Sequence, residues 1–315
     1  MKQIKKVAPI LSIVLALVLN QLIKDSPKHP TASAPYYTYF LYGILALYVL
    51  AYVVAFWIKP LEVSLTYKAP FLAGAVLIIN VINLVTVKYA LLPVLFFPSL
   101  NRVFGVFVQD RELLGKCIMS SFKLLLIGYT IGAVLGFTCG ILLGFSKRFH
   151  YWIMPLTKVI GPIPPTSWSP LVLSLFTTSY QAAIFMIALA VWFPITLMTS
   201  SGIQNTDNSY FEVSETLGAG PLYKIFKVAV PAAMPSIFLG IFYATTSSFV
   251  TLVTAEMFGC ESGIGWYLNW QKSMMLYANV YAGLIVMAGI CLVVVSLLFK
   301  IKNYVLVWQR GVIKW

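Results

Sequence analysis

The chain has 315 residues, of which 60% are hydrophobic and only 10% charged, with a formal net charge of +13. Soluble domains carry about 25% charged residues, so a mean hydropathy of +0.88 excludes an ordinary soluble fold and indicates a polytopic membrane protein. The roughly 10-residue alternating segments of a membrane barrel are absent. The positive charge is scattered between apolar stretches rather than gathered on one face, which argues against nucleic acid as a partner and for membrane orientation.

A bilayer core takes about 20 apolar residues per helix. Eight stretches qualify, roughly 7–23, 39–58, 71–87, 118–145, 152–176, 181–198, 235–254 and 281–299. The predicted fold is therefore all-α, with about eight transmembrane helices. The first stretch follows Lys2, Lys5 and Lys6, as in a signal peptide, but no small-residue cleavage site comes after it, and it reads as a retained anchor. Eight crossings put both termini on one side. With that side cytoplasmic, the inner segments hold about twice the lysine and arginine of the outer ones. The first three stretches, within 1–90, read as an accessory extension, because the distinctive features all lie in 91–315. Asp110, Arg111 and Glu112 form the charged tip of a longer outer segment, 91–115.

The fourth stretch carries Gly128, Gly132, Gly136, Gly140 and Gly144. One glycine every four residues cuts a groove along one face of a helix, where another backbone can approach closely. The reading is helix packing, not a substrate site. The fifth stretch opens with Gly161-Pro162-Ile163-Pro164-Pro165-Thr166-Ser167-Trp168-Ser169-Pro170. Prolines there break the helical ladder, and irregular backbone at membrane depth survives only buried in protein or beside a wet cavity. Pro164, Pro165, Ser167 and Trp168 are thus candidates for a translocation path, against the alternative of a short helix with a frayed start. In the seventh stretch Thr245, Ser248 and Thr251 share a face. They either bond their own helix and its neighbours or form a polar track for a solute. Glu256, at the outer end of that stretch, is either a structural tie or a gate.

Four cysteines show no metal-ligand spacing. Cys117 and Cys260 both fall near outer span ends, but sequence cannot bring them together. His29 and His150 fall in loops. The tail from Val305 to Trp315 is basic and tryptophan-bearing, suited to the inner membrane surface and its lipid.

Between the sixth and seventh stretches, 205–231 stays polar, and orientation places it in the cytoplasm. Ser209-x-x-Glu212 matches a capping box. Gly218 offers the left-handed stop of a helix, and Gly220-Pro221 opens the next. The prediction is a short helix, a glycine turn and a second short helix. No phosphate-cradling GxxxxGK[ST] motif occurs, and no HExxH, GxSxG or paired Cys/His set. The spans also lack the midplane carboxylate or histidine that a proton-coupled carrier would want. Energy for transport would then come from a partner. The competing class, a stand-alone carrier or membrane-embedded enzyme, would need a cluster of reactive groups that the chain does not display.

Glu212-Val213-Ser214, then Gly218, then Val228-x-Val230-Pro231 resembles the cytoplasmic loop of bacterial ABC importer permeases. There Glu-Ala-Ala, a glycine six residues after the glutamate, and an apolar-x-apolar-Pro ending recur. Val213 and Ser214 replace the two alanines. The stretch 121–148 with its glycines, 161–176 with its prolines, and Ala255-Glu256-Met257-Phe258-Gly259 with the segment after it are similar to the nitrate/sulfonate/taurine branch of that family. The resemblance covers 91–315. It implies a type I importer permease core, assembled as a homodimer or pseudo-dimer. Two copies of an ATP-binding subunit would carry ATP and Mg, and an extracytoplasmic solute-binding protein would dock outside, in the inner membrane of a bacterium. This chain would bind no cofactor and catalyse no reaction. Ser209, Glu212, Val213, Ser214, Glu215, Leu217, Gly218, Ala219 and Pro231 would then form the element coupled to the ATPase.

Overall fold

A computed structural model describes residues 2–28, 34–55 and 57–307. His29 and most of the basic tail, 308–315, lie outside the described residues. Every regular element among the described residues is helical. They divide into two compact units, Met1–Glu112 with Gln271–Gly283, and Leu113–Trp270 with Leu284–Trp315.

The first unit holds α1 (Lys2–Leu22), α2 (Tyr36–Val54), α3 (Lys59–Asn83) and α4 (Leu100–Gln109). Contacts rise together along α1 and α3, from the Lys6–Glu62 ion pair to the Asn20–Asn83 hydrogen bond, so these two helices run parallel. The α2 helix returns antiparallel along α1, with the Tyr48 hydroxyl donating to the Lys6 carbonyl and the Asn20 amide to the Thr38 hydroxyl. Ile13, Ala16, Leu17, Tyr37, Leu41 and Val76 form the core. A π turn, Leu84–Lys88, prolongs α3 and delivers Lys88 into the interior. Its ammonium pairs with Asp25 at 2.7 Å and donates to the Asn20 carbonyl at 2.8 Å. A buried ammonium is tolerable only with such partners.

The second unit is built on α5 (Arg111–Phe145), α6 (Lys147–Ile160), α7 (Ser169–Leu175), α8 (Ser179–Gln204), α9 (Asn208–Thr216), α10 (Pro221–Tyr223) and α11 (Val230–Gly259). It also takes the first part of α12 (Ile264–Ser273) and most of α13 (Tyr277–Val305). The glycine groove closes on α8. A Cβ added at Gly128, Gly132, Gly136, Gly140 or Gly144 would come within 2.8 Å of α8 at every one of the five positions. The facing side chains are Ile187, Val191, Ile195, Thr199 and Ile203, each 59 residues beyond its glycine. A constant offset means that α5 and α8 run parallel in one register over more than four turns. On its other side α8 meets α11 in the opposite sense, Gly202 facing Ser236 and Gly240 facing Met198.

Parallel α5 and α8 oblige the chain between them to travel back along the unit. It does so in pieces: α6, a 3-10 turn over Pro165–Trp168, and α7. The prolines that suggested a broken fifth stretch do break it.

Among the described residues six helices are long and apolar enough to cross a membrane: Tyr36–Val54, Glu62–Lys88, Arg111–Phe145, Ser179–Gln204, Pro221–Gly259 and Tyr277–Val305. The eight continuous stretches expected from sequence are therefore six such helices. The first stretch belongs to a helix whose apolar part, Lys6–Leu22, is shorter, and the fifth is interrupted. Two helices were not anticipated. α4 and α12 have only 10 residues each and mix aromatic with polar side chains, so neither shows as an apolar run. All four cysteines are free thiols, Cys117 and Cys260 included.

Candidate functional site

The helical turn between α8 and α11 has a simple construction. The Asp207 carboxylate accepts the Ser209 backbone N–H at 2.9 Å and caps α9. The cap thus lies two residues before the expected Ser209, which sits inside the helix, so the capping box with Glu212 does not form. Both residues are cap types, and the helix begins after the earlier one. The bonds from Ser209, backbone first and hydroxyl second, hold the Asp207 carboxyl below its ordinary 3.8. A carboxylate with a depressed folded value stabilises the helix above its unfolded value, and that contribution is lost as pH falls through the folded value. Amide exchange at Ser209 to Phe211 should therefore quicken, after correction for intrinsic rate, between pH 6 and pH 3. The Asp207→Ala variant should exchange fast at both.

α9 ends as Gly218 requires. Gly218 has φ +75°, its N–H bonds the Glu215 carbonyl, and the Ala219 N–H bonds the Ser214 carbonyl, both at 2.9 Å. These are the two hydrogen bonds of a Schellman stop. The second helix is not a separate short one. From Pro221 the chain passes through α10 and a π turn, Lys224–Ala229, directly into α11, as one continuous apolar helix to Gly259. The wider turn places the Val230 N–H on the Ile225 carbonyl. It absorbs Pro231, which has no N–H and would crowd the carbonyl four residues back in a regular helix.

One face of this element is rooted and the other is free. Phe211 packs edge-on against Phe145 at 5.9 Å and joins a core of Ile141, Ile203, Ala229, Ala233 and Ile237. Ser214 is buried beside it, its hydroxyl on the Phe211 carbonyl. Glu215 pairs with Lys224, tying the two arms of the turn together. On the opposite face Tyr210, Val213 and Leu217 are 60%, 59% and 82% exposed. Their spacing of three and four residues makes a stripe along α9. With Tyr223, Lys227 and Pro231 they border an open groove of about 1050 Å3. Leu222 and Phe226 extend the exposed apolar surface. Glu212 and Ala219 flank it, the first exposed, the second half-buried. Sequence reasoning missed Asp207, Phe211 and Lys224. An aspartate immediately before a polar helix was the available signal for the first. The other two depend on partners in space.

The path candidates fall into two groups. Pro164, Pro165, Ser167 and Trp168 lie together at the break between α6 and α7. Pro164 and Ser167 are exposed there, and the buried Trp168 indole N–H finds no acceptor among the described residues. Ser248 and Thr251 are sealed in the packing of α11. The Ser248 hydroxyl donates to the Thr245 carbonyl at 2.7 Å, and Thr245 to that of Ile241 at 2.8 Å. That is the ordinary self-bonding of hydroxyls in a membrane helix. Thr245 and Ser248, though not Thr251, border an apolar cavity of about 400 Å3, walled also by Tyr129 and Leu297. Glu256 is 1% exposed.

Comparison with known proteins agrees with this architecture. Residues 128–307 match the family model for the binding-protein-dependent transport system inner membrane component. The chain is 32% identical to a putative aliphatic sulfonates transport permease protein, SsuC, of Bacillus subtilis, over 66% of this chain and 75% of that one. It is 33% identical to the nitrate import permease protein NrtB of Leptolyngbya laminosa, over 53% and 62%. It is 31% identical to the bicarbonate transport system permease protein CmpB of Synechococcus elongatus, over 70% and 75%. Among solved structures, an inward-facing form of the MetNI methionine ABC transporter superposes on 62% of this chain and 98% of that one. Its TM-score is 0.54 and its identity 18%, a likeness of fold. On these matches and this architecture, the chain belongs to the family of binding-protein-dependent transport system inner membrane components.

Proposed function

We infer that this chain is the membrane-spanning permease subunit of an ATP-driven, binding-protein-dependent importer for a small oxyanion, of the kind named in its relatives: a sulfonate, nitrate or bicarbonate. The observation that carries the reading is the exposed apolar stripe Tyr210, Val213 and Leu217 on a short helix rooted at Phe211. A solvated loop has no reason to keep such a stripe, and patches of this kind mark protein contact sites. The partner is an ATP-binding subunit, present in two copies, which holds ATP and Mg. Ser209, Glu212, Val213, Ser214, Glu215, Leu217, Gly218, Ala219 and Pro231 build the coupling element that seats in it. Pro164, Pro165, Ser167 and Trp168 contribute to the solute path, where the unpaired Trp168 N–H supplies a donor for an anion. A solute-binding protein delivers the solute outside, and two permease copies enclose the path within the inner membrane and its lipid. Eight crossings with both termini inside fit the parallel run of α5 and α8, since the broken segment between them then makes a crossing of its own. The extension 1–90 adds three crossings to the permease core.

Changing Leu217 to Asp tests the reading. The side chain is 82% exposed, so thermal stability in detergent should hold within a few degrees, as for surface substitutions generally. Burying a carboxylate in a protein contact should cut co-purification of the ATPase at least ~10-fold. Undiminished co-purification would refute the assignment of this face.

A further inference from the structure

The outer end of α11 is joined to its surroundings by an unusual knot. Glu256 accepts the Ser121 hydroxyl on Oε1 at 2.6 Å and the Gly265 backbone N–H on Oε2 at 2.7 Å. Ser121 Oγ in turn accepts the Ile264 backbone N–H at 2.8 Å. Ile264 and Gly265 are the first residues of α12, so a carboxylate on one helix and a hydroxyl on another satisfy free N–H groups at the start of a third. Ser120 grips the same loop, its hydroxyl 2.6 Å from that of Ser262. The fit is close. Gly263 has φ +127°, and a Cβ there would stand 2.4 Å from the carboxylate. At Gly265 a Cβ would stand 2.4 Å from the Val253 carbonyl.

The carboxylate accepts on both oxygens. An amide in its place would keep one acceptor oxygen and would have to donate to the Ser121 hydroxyl, reversing that bond and removing the charge. Ordinary packing would not select a buried acid at this place. What the acid does that packing would not is fasten the outer loop to one particular helix. That helix is the one whose inner end forms the coupling turn. It runs without interruption from Pro221 to Gly259, 39 residues, about 58 Å at 1.5 Å per residue.

We propose that Glu256 is a positioning residue that locks the loop 260–265 onto the outer end of this rod, so that the turn facing the ATPase and the loop facing the solute-binding protein move as one body. The loop presents Glu261 and Ser262 outward, both exposed, and they are the residues whose position the lock sets. The proposal rests on the importer reading above and assigns Glu256 to signal transfer, not to solute contact.

The test uses the complete importer, with ATPase and solute-binding protein, in lipid nanodiscs. Exchanging charge-assisted hydrogen bonds for neutral ones about half as strong shifts an equilibrium at least about fivefold. In Glu256→Gln, stimulation of ATP hydrolysis by the binding protein should therefore fall by at least that factor, while basal hydrolysis and thermal stability stay near wild type. Half-buried Cys260, in the same loop, should react correspondingly faster with a membrane-impermeant maleimide, the modified site being identified by peptide mass. Ser121→Ala, the milder change, should move both readouts the same way and keeps the test decisive if Glu256→Gln fails to assemble. Unchanged stimulation and labelling beside a stimulated wild type would overturn the proposal alone. So would basal hydrolysis and stability falling together with stimulation, which is what a merely structural tie predicts. A wild-type complex that no binding protein stimulates would overturn the importer reading, and the proposal with it.

Discussion

Replacing Gly132 by leucine should prevent the second unit from assembling in its native packing. A Cβ at this position would lie 2.4 Å from the Ala188 carbonyl oxygen and 2.8 Å from the Val191 Cβ. Neither atom is the free end of a flexible chain. The first is backbone and the second is the branch point of a stiff side chain, so α5 and α8 must separate. Overpacking commonly costs about 1–3 kcal/mol, and forcing two backbones apart belongs at or above the top of that range. The expected readout is a thermal transition in detergent lowered by many degrees, with most of the protein lost from the monodisperse fraction. Gly43→Leu and Gly74→Leu are the controls. A Cβ at either meets nothing within 4 Å, and glycine is a poor helix former, so both should be neutral or slightly stabilising. Equal behaviour of all three variants would remove the close-approach account of the glycine groove.

Gly218→Val should do the opposite: leave the fold standing and disable transport. Beyond the adjoining residues, no atom of the described residues lies within 4 Å of a Cβ at Gly218, so the substitution meets no obstacle except its own backbone. A β-branched residue at φ +75° costs roughly 1–2 kcal/mol, more than the small turn can retain. The two hydrogen bonds that stop α9 then open, and the Tyr210–Leu217 stripe loses its aim. Protein yield and melting should stay close to wild type, while solute-dependent ATP hydrolysis drops by at least ~10-fold, as when an interaction surface is displaced. Asparagine tolerates the left-handed conformation, so Gly218→Asn should recover most of the activity. A valine variant that couples normally would show that the shape of the turn is unimportant.

The features legible in the sequence were those whose physics is local. A glycine every four residues defines a groove whatever lies opposite, and Gly218 and the Gly220-Pro221 pair announce a stop and a start within a few residues. The prolines from 162 to 170 broke their span as their missing N–H groups demand. What escaped was set by distance or by competition. The Asp207 cap displaced Ser209 because both can cap and only the start of the helix chooses between them. The unbroken passage through Pro231 depends on a π turn, which leaves no compositional trace. Ser121, the partner of Glu256, is 135 residues away, and nothing along the chain connects the two. The exposed stripe was half visible: its position was clear from Glu212 to Pro231, but its outward face needed Phe211 to be seen packing inward.

The parallel register of α5 and α8 has a consequence for how this part of the molecule can move. On one helix the contact is a row of notches four residues apart; on the other it is a row of teeth, Ile187, Val191, Ile195, Thr199 and Ile203, with the same spacing. Two combs of equal pitch rest wherever tooth meets notch and nowhere between. Sliding α8 by half a turn would set Val191 against the ridges beside Gly132. A full step of four residues, about 6 Å, would seat four of the five teeth in the next notch along. The pair therefore behaves as an indexed slide with a few detents, stiff at each stop and barred from the positions between.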